Sequence, residues 1–234
     1  MILSINQPAY LPWLGYFNRI DAAQKHIELD HVQFEKNSFI NRNKIKTKDG
    51  SIWLTVPVKT KGRFGNNTIN QVEIDNTTNW QKKHLQSIYQ NYKKTFYFDL
   101  YFPLLESMYK KKYSLLIDLI NQSNNFFIVQ LNIQTFIIKS SSLNITSSKS
   151  DLILDLCINE KATTYLSGPL GRNYLDKNKF IENNIEILYD DYKHPTYSQL
   201  YDKFEPYMCI LDLLFNHGGQ SLDIIKQGRN FNRS

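Results

Sequence analysis

Five polar clusters combine residue types that can do chemistry. The run Asn6-Gln7-Pro8-Ala9-Tyr10-Leu11-Pro12-Trp13-Leu14-Gly15-Tyr16-Phe17 joins two amides to a loop stiffened by two prolines. Trp13 and Tyr16 offer flat faces for a sugar or a base, and Gly15 permits close approach. A rigid turn that plugs a sheet end would use the same aromatics, but Asn6 and Gln7 are costly to bury unpaired. In the second cluster, Asp30-His31-Val32-Gln33-Phe34 is followed by Asn41-Arg42-Asn43-Lys44-Ile45. Asp30 and Gln33 suit sugar hydroxyls, and Arg42 suits a phosphate or carboxylate held by two hydrogen bonds. An Asx-type turn and an Asp30–Arg42 pair are the alternatives. Ser167-Gly168-Pro169-Leu170-Gly171-Arg172-Asn173-Tyr174 reads as a strand end and glycine turn opening a helix, an arrangement that can cradle an anion. It lacks the Lys-Ser/Thr pair of a P-loop, and a turn that simply needs glycine geometry explains it equally. The fourth cluster, Asp190 to Gln199, holds His194 in a loop after a strand, where core packing of the ring is not expected. Its ordinary pKa suits proton transfer near neutrality, with Asp190 or Asp191 to orient the ring; a polar surface histidine is the alternative. Last, Cys209, Asp212 and Asn216 share one stripe of an apolar helix. A carboxylate there must be paired or face a cleft, and Asp212 serves either as an anchor for a neighbouring loop or as support for a site. Cys209 reads as a buried small hydrophobe.

The elements that position these clusters alternate. Residues 2–7 read as a buried strand, Trp13 to Ala23 as a helix and His26–Leu29 as a second strand, the βαβ pattern of a parallel sheet. Ile52–Val58 and Gln71–Ile74 are further strand candidates around a basic loop at 59–67. Asn79 is a helix N-cap, and Trp80, His84, Leu85, Ile88 and Tyr92 recur at helical spacing. Helical character continues over Phe98–Lys110 and Tyr113–Asn121. Strands follow at Phe136–Lys139, Thr164–Leu166 and Ile185–Tyr189, with helices at Asp151–Asn159, Tyr174–Asn183 and Met208–Phe215. Gly218 and Gly219 end the last helix, and the polar tail from Gln227 is expected to fray. The expected fold is a single α/β domain over 1–234, a mostly parallel, Rossmann-like sheet sandwiched by helices, with a helical insertion around 78–130. In such sheets ligands bind beyond the carboxyl ends of the strands.

At 234 residues with 41% hydrophobic and 21% charged side chains, the chain can bury a sizeable core, and wholesale disorder is excluded. No apolar run approaches the ~20 residues of a membrane-spanning helix, so no membrane insertion is expected. The opening MILSI lacks the basic flank of a signal peptide, and the chain reads as cytoplasmic. Five scattered histidines and two distant cysteines give no metal-type spacing; no metal and no cofactor are expected. The net charge of +6 suits an anionic substrate but equally a surface of solvated lysines, and no role for DNA is expected.

The runs QPAYLPWLGYF, LDHVQFEKNSFINRNKIKT and WLTVPV resemble the WbqC-like protein family, as do Tyr165-Leu166-Ser167-Gly168, Tyr192–Gln199 and Cys209–Gly218. The resemblance spans residues 3 to 219. The chain departs from the family pattern at Asn6, His31 and Cys209. The resemblance implies bacterial O-antigen or other surface-polysaccharide synthesis, with modification of a nucleotide-linked amino sugar by acyl or aminoacyl transfer. The donor would be an aminoacyl-tRNA, a carrier-protein thioester or acyl-CoA. His194 then becomes the favoured base, with Asp191 and Asp212 beside it in the catalytic set. Gln7, Tyr10, Trp13, Tyr16, Asp30, Gln33, Arg42, Asn43, Ser167, Gly168, Tyr174, Tyr197, Gln199 and Asn216 form the expected substrate-binding set. A nucleotidyltransferase-like enzyme and a non-catalytic sugar- or carrier-binding module are the alternatives.

Overall fold

A computed structural model describes residues 1–59 and 67–233, so most of the basic loop expected at 59–67 lies outside the described residues. Strand β1 (Ile2–Asn6) leads through α1 (Leu14–Asp21) to β2 (Lys25–Glu28), which pairs parallel with β1. The chain then leaves the sheet for a hairpin, β3 (Arg42–Thr47) and β4 (Gly50–Thr55), and three helices, α2 (Trp80–Tyr92), α3 (Phe98–Tyr109) and α4 (Leu116–Gln130). It returns as β5 (Phe136–Lys139) beside β2 and crosses through α5 (Lys149–Asn159) to β6 (Thr164–Ser167), on the other side of β1. After α6 (Lys177–Glu182) comes β7 (Glu186–Asp190), then α7 (Ile210–His217), α8 (Ser221–Gln227) and β8 (Phe231–Arg233). The sheet order is β5-β2-β1-β6-β7-β8, parallel except for β8 against β7. This is the expected α/β fold with a mostly parallel, Rossmann-like sheet, and α2 to α4 are the expected helical insertion. Among the described residues no helix is long and apolar enough to cross a membrane.

Two apolar clusters sandwich the sheet. Leu3, Ile5, Ile27 and Ile187 pack with α5 and α6, while α1, the hairpin, α2 to α4 and α7 build the other cluster. The two-residue period of a strand therefore turns Ser4, Asn6, His26, Glu28 and Asp190 toward α1. Contacts confirm it: Ser4 Oγ lies 2.7 Å from His26 Nδ1, and Asn18 on α1 bonds Asp190. One face of a parallel sheet is thus polar, where apolar side chains are the rule.

Several boundaries differ from expectation. The second polar run is divided: residues 30–41 lie outside the strands, whereas Arg42 and Asn43 begin β3, an antiparallel partner of β4. Residues 69–71 form a short 3-10 turn, and Ile74 makes only an isolated bridge to Val58. Helix α6 starts at Lys177 rather than Tyr174, because Pro169–Asn173 already forms a 3-10 turn. The described part of the tail does not fray: Phe231–Arg233 close the sheet edge as β8. Gly218 ends α7 with φ +53°, and a Cβ there would lie 2.6 Å from the Tyr97 ring, whereas Gly219, inside the 3-10 turn that follows, has open space beside it.

Candidate functional site

The direction of chain growth reverses around β1: β2 was added on one side and β6 on the other. That reversal is the topological position at which open α/β sheets form a ligand-binding crevice, beyond the carboxyl ends of β1 and β6. Arg19, one turn beyond Gly15 on α1, reaches into this region with a largely buried side chain. Its Nε donates to Asn6 Oδ1 at 3.0 Å, and Nη1 stands 3.6 Å from an Asp190 oxygen. Gly168, the residue after β6, lies against the guanidinium. Asp190 is itself held by Asn18, whose amide bonds both carboxylate oxygens at 3.1 Å. Burial pushes the Asp190 carboxyl upward, and the Arg19 charge pulls it back.

Around this cation lie polar groups with nothing to bond. Asn6 Nδ2, Tyr16 Oη and His26 Nε2 are buried and have no hydrogen-bond partner among the described residues. Each such group costs about 1–3 kcal/mol, so three at one place mark either a strain reservoir or a ligand's position. Glu28 sits opposite Asn6 in the β1–β2 register, 6% exposed. Burial pushes its carboxyl up to about 7, against the opposing charge of Lys139 and helped by Asp30. His26 is pushed the other way, to about 3, chiefly by burial and then by Arg19, so its ring is neutral. The crevice thus holds a fixed cation, unpartnered donors and a carboxyl that exchanges its proton near neutrality.

A second cluster lies where α1 begins. The His194 ring is stacked against Trp13 (6.4 Å between centroids, 11° between planes) and Tyr197 (6.0 Å, 28°), with Phe204 and Tyr207 also in contact. Its Nδ1 donates to the Pro195 carbonyl at 2.8 Å, and Nε2 accepts the Tyr207 backbone N–H at 3.1 Å. The expectation of an unpacked loop ring is therefore corrected: residues 201–207 fold over it, with Tyr201 and Tyr207 both in the left-handed region. Burial lowers the His194 pKa. Asp191 does not orient this ring. It forms a two-bond ion pair with Arg172, both at 2.7 Å, and accepts from Asn232 at 2.6 Å. Asp212 is fully buried and accepts from Tyr92 (3.0 Å), Tyr197 (2.9 Å) and Gln199 (2.8 Å). Burial raises its pKa, and those three donors lower it. Asn216 reaches back along α7 to the Asp212 carbonyl at 2.7 Å. Cys209 is buried with its thiol pushed up to about 12, which keeps it protonated.

The remaining expected residues are dispersed. Asp30 accepts from Ser140 Oγ (3.0 Å), the Ser141 amide (2.9 Å) and Ser141 Oγ (2.8 Å), so it fastens the turn after β5. The suggested Asp30–Arg42 pair does not form. Arg42 lies 4.4 Å over the Trp53 ring and donates to the Asn37 carbonyl. Asn43 ties β3 to the first loop through the Leu11 carbonyl at 2.6 Å. Tyr10 is fully buried, its hydroxyl shared between His84 Nδ1 at 2.9 Å and the Tyr109 hydroxyl. Gln7 and Gln33 are exposed. Ser167 donates to the Gly168 carbonyl at 3.0 Å, and a Cβ on Gly171 would lie 2.0 Å from its Oγ. Close approach therefore accounts for Gly171. Tyr174 is half-exposed beside Tyr165 and the Arg19 charge. Of the expected set, the sheet end brings together Tyr16, Ser167, Gly168 and Tyr174, while Trp13, His194, Tyr197, Gln199, Asp212 and Asn216 meet at the second cluster. Arg19, His26, Glu28 and Asn18 are the site residues that the sequence motifs pass over; the alternating polar pair His26/Glu28 in an otherwise buried strand is the signal that could have found them. Among the described residues no three His, Cys, Asp or Glu side chains are placed to hold a metal ion.

Residues 7–224 match the family model described as WbqC-like protein family. The chain belongs to the WbqC-like family. An uncharacterized protein of Mycobacterium tuberculosis is 35% identical over 229 residues, covering 97% of this chain and 98% of that one. No solved structure matches the chain significantly. The matched segment of this WbqC-like protein contains the second cluster and all of the first except Asn6, and it ends before β8.

Proposed function

We propose that this WbqC-like protein is a cytoplasmic transferase that acylates or aminoacylates an amino sugar carried on a nucleotide, in the synthesis of a surface polysaccharide. The observation that carries the reading is the crevice at β1 and β6, where Arg19 stands among unpartnered polar groups and Glu28 titrates near neutrality. Arg19 suits a phosphate oxygen, and Asn6 and Tyr16 suit sugar hydroxyls. Glu28 takes the proton that the sugar amine loses as its nitrogen attacks the donor's carbonyl carbon. A new C–N bond forms, the donor's ester or thioester bond breaks, and the proton leaves with the donor's alcohol or thiol. The base assigned here is Glu28 rather than His194, because both ring nitrogens of His194 are already engaged. His194 instead stacks on Trp13 at the start of α1, and Gly15 lies against the same indole.

The test is a screen of amino-sugar nucleotides against aminoacyl-tRNA, acyl-carrier and acyl-CoA donors. With the active pair in hand, Glu28→Gln should lower turnover by roughly 10²–10⁴-fold, as loss of a general base does. Arg19→Lys should act mainly on KM, since a lysine keeps the charge but not the two-bond geometry. Full turnover by Glu28→Gln would remove Glu28 from the mechanism.

A further inference from the structure

Helices α2 and α3 form a hairpin joined by the turn at 93–97, so the start of α2 lies beside the end of α3. Gln81 fastens these ends, donating to the carbonyls of Tyr109 and Lys111, both at 2.7 Å. Between the helices runs an open groove of about 1090 Å³, just above the roughly 300–1,000 Å³ of small-ligand sites. Its two halves differ in chemistry. Lys82, Lys110 and Lys112 line one end. Only Lys110 has an acidic partner among the described residues, Glu106 at 3.0 Å, which leaves three cations facing one carboxylate. At the other end Tyr89 and Phe102 stand with ring centroids 5.6 Å apart, and Tyr89 is partly exposed. Tyr89 follows Lys82 by two helical turns, about 10 Å along the axis. That is close to the reach from the ring to the terminal phosphate of an extended nucleoside diphosphate.

We propose that this groove is a second ligand site, which takes a small nucleotide with its phosphates among Lys82, Lys110 and Lys112 and its ring against Tyr89 and Phe102. The site is separate from the crevice at β1 and β6, and the proposal does not depend on the transfer reaction. Three lysines on one groove against a single carboxylate leave a local positive charge that favours an anion, and the aromatic half adds a surface that an inorganic anion alone would not use. Ring stacking tolerates any base, so adenosine diphosphate is a sufficient probe.

The experiment is calorimetric titration of the full chain with adenosine diphosphate, and with pyrophosphate and adenosine as partial ligands. The diphosphate should bind more tightly than either part. The double variant Lys82→Ala/Lys112→Ala should weaken it by about tenfold or more, with an unchanged melting temperature, since both side chains are exposed. Tyr89→Ala should weaken adenosine and spare pyrophosphate. Arg19→Ala, in the other crevice, should leave diphosphate binding intact. Absence of binding to the wild-type chain overturns the proposal. So does binding that survives the lysine double variant, or that disappears with Arg19→Ala.

Discussion

Replacing Glu28 by glutamine should stabilise the protein at alkaline pH while removing its activity. Glu28 is buried on β2, and its carboxyl is pushed from an ordinary 4.5 to about 7, first by burial, with Lys139 opposing and Asp30 adding to the rise. The folded chain therefore holds this proton more tightly than the unfolded chain. The contribution to stability is complete below pH 4.5 and is lost as pH rises through 7. Over that span the loss amounts to about 3 kcal/mol at most. Glutamine stays neutral and avoids it. Urea unfolding of both proteins at pH 5 and pH 8.5 reads the effect directly. At pH 5 the two should differ little; at pH 8.5 the variant should be the more stable by up to about 3 kcal/mol, or on the order of 5–10 °C in melting temperature.

Comparing the two proteins at each pH isolates Glu28 from its neighbours. His26 acts in the opposite direction, because its pKa is lowered to about 3 and its contribution is lost as pH falls below 6.5. That loss is common to both proteins and cancels in the difference. A stability gap that is the same at pH 5 and pH 8.5, or a variant weaker at pH 8.5, would refute the assignment of a neutral-range proton to Glu28. A gain in stability accompanied by loss of transfer is the trade-off expected of a residue held in an unfavourable environment for its chemistry.

Two further substitutions separate structural from chemical roles at the second cluster. Asp212→Ala strands the donors of Tyr92, Tyr197 and Gln199 and should cost roughly 3–5 kcal/mol; an unchanged urea midpoint would show that water replaces the carboxylate freely. His194→Ala should cost about 2 kcal/mol through lost ring contacts and the orphaned Tyr207 amide, and should leave the pH profile of transfer in place. A profile that loses its limb near neutrality would return His194 to the role of base.

The sheet, its parallel order and the helical insertion are legible in the sequence because each is written in local apolar periodicity. Ile2–Asn6 and Glu186–Asp190 are short apolar runs ending in polar residues, and Trp80 to Tyr92 repeats every three to four positions. The tail was opaque for the converse reason: three residues, Phe231–Arg233, become a strand only because β7 offers an edge. His194 misleads in a related way, since a polar loop is read as exposed until residues 201–207 are known to cover it. The crevice is harder still. Asn6 and Glu28 end the first two strands, but Asp190 comes far later in the chain, on β7, and local pattern alone does not say that β6 and β7 extend the sheet from β1. The first loop draws attention through its prolines and rings and ends at Phe17, yet the next two residues, Asn18 and Arg19, carry the bonds that join α1 to Asn6 and Asp190. A lone arginine in a short amphipathic helix looks like ordinary surface charge. What distinguishes it is the polar sheet face beneath, and that face shows in the sequence only as the alternation of Ser4 with Asn6 and of His26 with Glu28. Where a strand of a parallel sheet is buried on both sides, polar residues at a period of two are the feature to pursue, because burying them unpaired works against folding unless a ligand supplies the missing partner.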